Sequence, residues 1–219
     1  MRIAIFDFDG TLYKKETFQL LMDHLKDHPT YSKYYKRFFL PILPRFTGFK
    51  LNIYPESKMK KQSMQLYISA LSKLTKDELE AYFEEIAAKM VDDFHPEAIR
   101  RLINHYEEDY RTIIVSGAYT PLLEAAMEPF PVDKIIGTDI PFAKNNYQKK
   151  APIFHIQGMR KRVALLAALK EESIDWENSY SYGDSYSDLP ILELVGHPVA
   201  VSPDDKLAAV ASERKWEII

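Results

Sequence analysis

The chain has no cysteine among its 219 residues. Disulfides, thiolate nucleophiles and zinc–thiolate sites are therefore excluded. It also lacks an excess of basic charge. Its 29 lysines and arginines stand against 32 aspartates and glutamates, and a formal net charge of −3 argues against bulk nucleic-acid binding. No uninterrupted apolar stretch approaches the roughly 20 residues of a membrane-spanning helix. The short apolar run near the N-terminus is followed by acids where a signal peptide would carry its cleavage site, so a cytoplasmic protein is expected. The six histidines read as scattered rather than paired on a helix, and no histidine metal site is expected. Internal repeats and low-complexity segments are missing as well. What remains is an ordinary globular composition, 46% hydrophobic and 28% charged, sufficient for a buried core.

The pattern along the chain divides it into unequal parts. An apolar strand opens the sequence. From about 13 to 93 only helical periodicities follow: 16–26, 55–73 and 75–90, the last opened by the capping box Thr75-Lys76-Asp77-Glu78. Glycine, proline and aromatic residues over 40–54 suggest an irregular link. From Pro96 a β/α alternation resumes, with a helix over 96–108 and a strand over 112–115 that ends at Ser116-Gly117. Next come a helix with Thr120 as N-cap and Pro121 at N1, a strand over 133–137 and a hairpin over 138–153 turning at Asn145-Asn146. A helix over 158–172, a strand over 179–182, a helix over 188–195, a strand over 198–201 and a helix over 203–212 complete the pattern. Such alternation predicts an α/β fold, a Rossmann-like doubly wound parallel sheet formed by 1–13 and 94–219, with 14–93 as an inserted helical cap.

The chemistry is concentrated in Ile3-Ala4-Ile5-Phe6-Asp7-Phe8-Asp9-Gly10-Thr11-Leu12. Two carboxylates at the end of a buried strand are costly unless a cation or a proton offsets their charge. Parallel α/β sheets place ligands at that end. Side chains at i and i+2 of an extended segment leave from one face, so Asp7 and Asp9 can address one small target. Gly10 permits close backbone approach and Thr11 offers a hydroxyl. Ser116-Gly117 can hold a phosphate oxygen after a second strand. Gly183-Asp184 followed by Asp188 can supply a metal ligand and an orienting carboxylate, or simply cap the next helix. Lys161 lies at a helix start within Arg160-Lys161-Arg162, where solvated surface is the ordinary alternative.

Asp7-Phe8-Asp9-Gly10-Thr11, Ser116, Lys161 and Gly183-Asp184 through Asp188, in that order, resemble the motifs of the haloacid dehalogenase superfamily of phosphohydrolases. The Lys161-x3-Leu165 register and the helical insertion resemble its phosphoserine-phosphatase-like branch, with Arg160 and Lys150 as neighbouring cations. The resemblance implies a Mg²⁺-dependent phosphomonoesterase. Asp7 would attack phosphorus to give an aspartyl phosphate, and Asp9 would act as general acid and then base. Mg²⁺ would be held by Asp7, the main-chain carbonyl of Asp9 and Asp184, with Asp188 orienting. Ser116, Gly117, Lys161 and Thr11 would hold substrate oxygens. A phosphotransferase using the same intermediate is the related alternative, and a non-catalytic phospholigand- or membrane-binding module the contrasting one.

Glu16 sits where phosphoserine phosphatases carry a glutamate for the substrate's amino group; an acid favoured in the first turn of a helix explains it equally well. The arginine those enzymes use for the substrate carboxylate has no counterpart, Tyr67 falling near its place, which disfavours phosphoserine and leaves another small phosphorylated metabolite. Between Tyr31 and Tyr54 lie eight aromatic residues and five basic ones, with no acid. Packing of the aromatics in the cap's own core is the preferred reading over a basic surface for a membrane or a lipid-like phosphate, because so many exposed aromatics invite aggregation.

Overall fold

The computed structural model describes residues 1–148 and 151–219, and the side chains of Glu56 and Ser57 are likewise outside the description. Strand β1 (Ile3–Phe6) has four fully buried residues, which require cover on both faces. It pairs in parallel with β2 (Arg111–Tyr119) on one side and β6 (Tyr180–Gly183) on the other. With β3 (Lys134–Thr138), β7 (His197–Ala200) and β8 (Glu217–Ile218) they form a six-stranded parallel sheet in the order β3-β2-β1-β6-β7-β8. Alternate residues of β1 face opposite layers. Ile3 and Ile5 pack with Ile113, Val115 and the Leu165 and Leu169 side chains, on and just after helix α7 (Met159–Ala168). Ala4 and Phe6 join the larger cluster that includes Ala98 and Leu102 of α5 (Pro96–Glu107) and Leu122 and Leu123 of α6 (Thr120–Met127). Helices α8 (Leu189–Leu192) and α9 (Asp205–Arg214) complete the core. The sequence expectation of a doubly wound parallel α/β sheet agrees with this architecture.

Between β1 and α5 run helices α1 (Thr17–Asp27), α2 (Tyr35–Lys50), α3 (Glu56–Ala70) and α4 (Lys76–Ala87). The chain leaves and rejoins the sheet at one point: the Lys14 N–H donates to the Asp93 carbonyl at 3.0 Å and the His95 N–H to that of Leu12 at 2.8 Å. The capping box of α4 is made in both directions, Thr75 Oγ1 accepting from the Glu78 N–H and Glu78 Oε2 from the Thr75 N–H.

Four local expectations are corrected. The 40–54 link is largely helical, because α2 continues to Lys50 through Pro41 and Pro44. Each interior proline costs about 3 kcal/mol in helix propensity, but both prolines face solvent while Phe38 and Ile42 bury on the other side, so packing overrides propensity. Strand β2 does not stop at Val115. It runs to Tyr119 through a register shift, and the Ser116 hydroxyl accepts the Ala118 N–H at 3.1 Å within the irregularity. Thr120 is not a cap: its hydroxyl donates to Asp139 at 2.6 Å, and Tyr119 occupies the N-cap position. The hairpin β4 (Phe142–Ala143) and β5 (Asn146–Tyr147) turns at Lys144-Asn145, and Asn145 accepts the Lys76 N–H at the start of α4 through both its carbonyl and its side chain.

Candidate active site

The carboxyl ends of β1, β2 and β6 meet at Asp7. Its N–H donates to the Tyr182 carbonyl at 3.0 Å, fixing the chain as it leaves the sheet. Lys161 enters from the first turn of α7 and is buried between two carboxylates, its Nζ 2.5 Å from Asp7 Oδ1 and 2.6 Å from Asp188 Oδ1. The second oxygen of Asp188 accepts from the Ser185 N–H at 3.2 Å and its hydroxyl at 3.1 Å. Asp184 completes the group. One carboxylate oxygen from each of Asp7, Asp184 and Asp188 lies within 4.8 Å of the others. Gly10 has φ +77°, and a Cβ there would lie 2.2 Å from Asp184 Oδ2, so both backbone sign and space demand glycine.

Three acids share one ammonium. Burial, and next the Asp188 charge, raise the Asp7 carboxyl well above its ordinary value against the pull of Lys161. The same two causes push Asp184 up to about 7. Burial alone would lower Lys161, but Asp188 and Asp7 outweigh it and hold the ammonium charged, above the usual lysine range. Among the described residues, Lys161 is the cation paired with these acids, and it contacts two of the three, Asp7 and Asp188.

Asp9 is turned away from this cluster. Its carboxylate accepts from the Thr17 N–H at 3.0 Å and the Thr17 hydroxyl at 2.9 Å. Burial, then the Glu16 charge, push it up to about 7, with Thr17 opposing. Two acids two residues apart thus lie in different environments. The expectation of Asp9 as a metal ligand rests on its main-chain carbonyl, and its side chain lies outside the three-carboxylate group.

A cavity of about 360 Å³ opens above these groups, lined in part by Asp7, Asp9, Ser116, Gly117, Lys161 and Asp184. Its other walls include Glu16, Gln19, Lys60 and Gln157, and an apolar side of Phe18, Met22, Met59 and Met64. A larger concavity of about 810 Å³ lies around the start of β7 at the opposite edge of the sheet, away from the carboxylates. Of the expected substrate-binding residues, Ser116, Gly117, Lys161 and Glu16 line the cavity beside the carboxylates. Thr11 does not: it is fully buried, and its hydroxyl has no hydrogen-bond partner among the described residues. Glu16 is the N-cap residue of α1 and not part of its first turn, since the helix begins at Thr17. Tyr67 is buried, its hydroxyl 2.8 Å from the Leu21 carbonyl and 2.6 Å from Tyr82 Oη, and is absent from the lining. Arg160 lies over the Phe154 ring and donates to the His155 carbonyl at 3.3 Å, while Lys150 lies outside the described residues.

Sequence reasoning missed His155. It lines the cavity beside Gly117, where a Cβ would lie 2.9 Å from its Cε1, and it is held neutral near pH 7, lowered to about 4 by burial and then by Lys60. The one signal was a polar pair, His155 and Gln157, in an otherwise apolar loop before Gly158. The reading of scattered histidines is also corrected. His24 and His28 stand four residues apart at the end of α1, and with Glu85 they form a group of the size a metal ion would need. Their hydrogen bonds give them another role. His24 Nδ1 accepts from Lys89 Nζ at 2.8 Å, and His28 Nδ1 accepts the Thr30 and Tyr31 N–H groups. Each ring therefore keeps its proton on Nε2; that of His28 donates to Glu85 at 2.9 Å, and His24 Nε2 stands 3.5 Å from the same carboxylate without a hydrogen bond to it.

The profile of the haloacid dehalogenase-like hydrolase family matches residues 4–193. A histidinol-phosphatase of Neisseria meningitidis is 26% identical over 164 residues, covering 71% of this chain and 72% of that protein. The chain spans 58% of the length of another curated relative that it matches. Among solved structures, a protein of unknown function from Bordetella pertussis superposes with a TM-score of 0.82 at 21% identity, over 100% of this chain and 97% of that one. A substrate-bound phosphoserine phosphatase gives a TM-score of 0.60 at 16% identity, over 100% and 92% of the two chains, and so shares the fold.

Proposed function

We propose, since this chain belongs to the haloacid dehalogenase-like hydrolase family, that it is a Mg²⁺-dependent phosphatase acting on a small phosphomonoester through an aspartyl phosphate on Asp7. The observation that carries the proposal is the buried Asp7–Lys161–Asp188 row at the floor of the cavity, with Asp184 beside it. The donor set fits the metal. Three carboxylates converge around the Lys161 ammonium, every donor is a hard oxygen, and burial, then the Asp188 charge, holds both Asp7 and Asp184 above their ordinary values, a cost that a dication would offset. Asp7, Asp184 and the Asp9 carbonyl would hold Mg²⁺, which neutralises phosphoryl charge so that a carboxylate can approach a dianion.

The protein's own groups supply the remaining chemistry. An oxygen of Asp7 forms the new bond to phosphorus as the ester P–O bond breaks. Asp9, pushed up to about 7, gives its proton to the leaving alkoxide. It then takes a proton from water, whose oxygen attacks phosphorus, frees Asp7 and releases inorganic phosphate. Lys161 is locked by Asp188 against Asp7 and faces the charge that spreads over the phosphoryl oxygens, with Ser116 and Gly117 alongside. The helices over 14–93 act as the cap. Their Phe18, Met22, Met59 and Met64 wall favours a leaving group with an apolar part, and Glu16 offers a partner for an amine.

The test is hydrolysis of a generic aryl phosphate with and without Mg²⁺, with Asp7→Asn and Asp9→Asn as controls. Asp7→Asn should abolish turnover and Asp9→Asn should lower kcat by roughly 10²–10⁴. Absence of metal-dependent turnover by the wild type across a broad panel of phosphate esters overturns the proposal.

A further inference from the structure

The preferred packing reading of the aromatic, basic segment holds for only one side of α2. Tyr34, Phe38 and Ile42 are buried in the insertion's core. The other side is open. Leu43 and Phe46 are 41% and 42% exposed, Leu40 is 64% exposed, and beyond the helix Leu51 and Ile53 reach 64% and 77%. Phe39, Leu43 and Phe46 follow one another at helical spacing and form one stripe. Apolar surface of this kind, gathered at the end of an α-helical hairpin, marks an interaction site.

Charge selects the occupant. Residues 28–55 contain five lysines and arginines and no acid, in a chain whose net charge is −3. Lys50 lies over the Phe46 ring, 5.5 Å from its centroid, so a cation edges the apolar stripe itself, while Lys33 and Arg37 lie over the Tyr34 ring at the packed side of the same segment. Exposed Lys58 and Lys61 continue the basic surface onto α3. A second copy joined through this face by a two-fold axis would set these cations against one another. A bilayer with anionic headgroups satisfies both halves of the pattern, because apolar side chains enter the acyl boundary while the cations stay among the phosphates. Met59 and Met64 of α3, which packs against α2, line the active-site cavity, so a protein seated this way has its cavity on the helical pair that meets the lipid.

We propose that the exposed face of α2 and the following turn, centred on Leu43, Phe46, Leu51 and Ile53, is a docking surface for an anionic lipid bilayer. Docking is peripheral, since no helix among the described residues is long and apolar enough to cross a membrane.

The experiment is co-sedimentation of the full chain with vesicles of neutral phosphatidylcholine, and of the same lipid with about one third phosphatidylglycerol, at low salt and at about 0.5 M salt, where the Debye length falls well below 10 Å. Binding at least ~10-fold tighter to the anionic vesicles and lost at high salt is expected. Leu43→Glu with Phe46→Glu, and separately Lys36→Glu with Lys50→Glu, should each weaken it by about tenfold or more. Both pairs lie on solvent-exposed positions outside the catalytic cavity, so their thermal unfolding and aryl phosphate turnover should match the wild type. No binding to anionic vesicles at low salt, equal binding to both vesicle types, or binding untouched by both variants overturns the proposal. So does concentration-dependent dimerisation through this face without vesicle binding. The vesicle result does not depend on the enzyme having turnover.

Discussion

Replacing Lys161 by methionine tests the charge arrangement that supports the catalytic reading. The wild-type ammonium lies 2.5 Å from Asp7 and 2.6 Å from Asp188, and all three groups are buried. Methionine fills much the same volume, so the change removes charge more than packing. Breaking a buried pair from one side leaves the partner uncompensated and costs about 3–5 kcal/mol. At this chain length each kcal/mol shifts Tm by about 2–4 °C, so metal-free Tm at pH 7.5 should fall by roughly 6–20 °C. A dication at the same carboxylates replaces part of the lost charge. At 100 times its Kd it adds about 2.7 kcal/mol, and the gap between variant and wild type should narrow visibly on Mg²⁺ addition. Turnover on an aryl phosphate should fall by about 10²–10³, the range for losing one donor to a developing oxyanion. Melting by circular dichroism with and without Mg²⁺, beside the turnover assay, reads all three effects. An unchanged or higher metal-free Tm refutes the view that these acids are short of positive charge.

Gly10→Ala should displace Asp184, since the new Cβ would lie 2.2 Å from Oδ2 at a φ of +77°; the Mg²⁺ concentration for half-maximal turnover should rise several-fold, and an unaltered requirement counts against the metal assignment. His24, His105 and His155 are each lowered to about 4, chiefly by burial, so between pH 6.5 and 4 the unfolded chain binds protons that the folded chain does not, and stability is lost as pH falls through that window. His105→Gln should flatten the slope by about 1.4 kcal/mol per pH unit near pH 5, measured as the difference from wild type in urea unfolding; an identical slope sinks the account. Asp9→Ala should cost about 0.5–2 kcal/mol through loss of the Thr17 contacts, whereas Asp9→Asn should retain most stability while losing turnover, which separates anchoring from proton transfer.

The fold was legible where a physical cost forced the sequence to show its purpose. Asp7 and Asp9 at the end of a run as apolar as Ile3–Phe6 make sense only at the ligand end of a sheet, and the alternation after Pro96 names that sheet as parallel. Lys161 was legible only in company, because a lysine between two arginines looks like surface until Asp7 and Asp188 close around it. Features decided by tertiary packing were not legible. Nothing local says that α2 will continue through Pro41 and Pro44 while Phe38 and Ile42 pack beneath it. No local pattern separates Thr11, fully buried, from a hydroxyl facing substrate. His155 reaches the cavity from a loop distant in sequence, where a single imidazole carries no periodic signal. The His24–His28 pair was readable by spacing, but its service to Glu85 depends on Lys89 and two backbone N–H groups that spacing does not reveal.

Asp9 shows why the insertion and the chemistry belong to one device. Helix α1 has no cap from its own N-cap residue, Glu16, and the carboxylate that meets its first N–H belongs to Asp9, eight residues earlier in the motif loop. The Thr17 hydroxyl adds a second bond to the same carboxylate. The helix that opens the insertion is thus fastened to the acid proposed to move the proton. Its next residues, Phe18, Gln19 and Met22, form a wall of the cavity. These bonds favour the ionised carboxylate, and burial with Glu16 opposes them, leaving Asp9 near 7 where gaining and losing a proton are both cheap. A shift of α1 would alter the wall that meets the leaving group and the donors that balance this acid together. In the proposed mechanism, selection by the insertion and proton transfer in the core would therefore be set by the same first turn of helix.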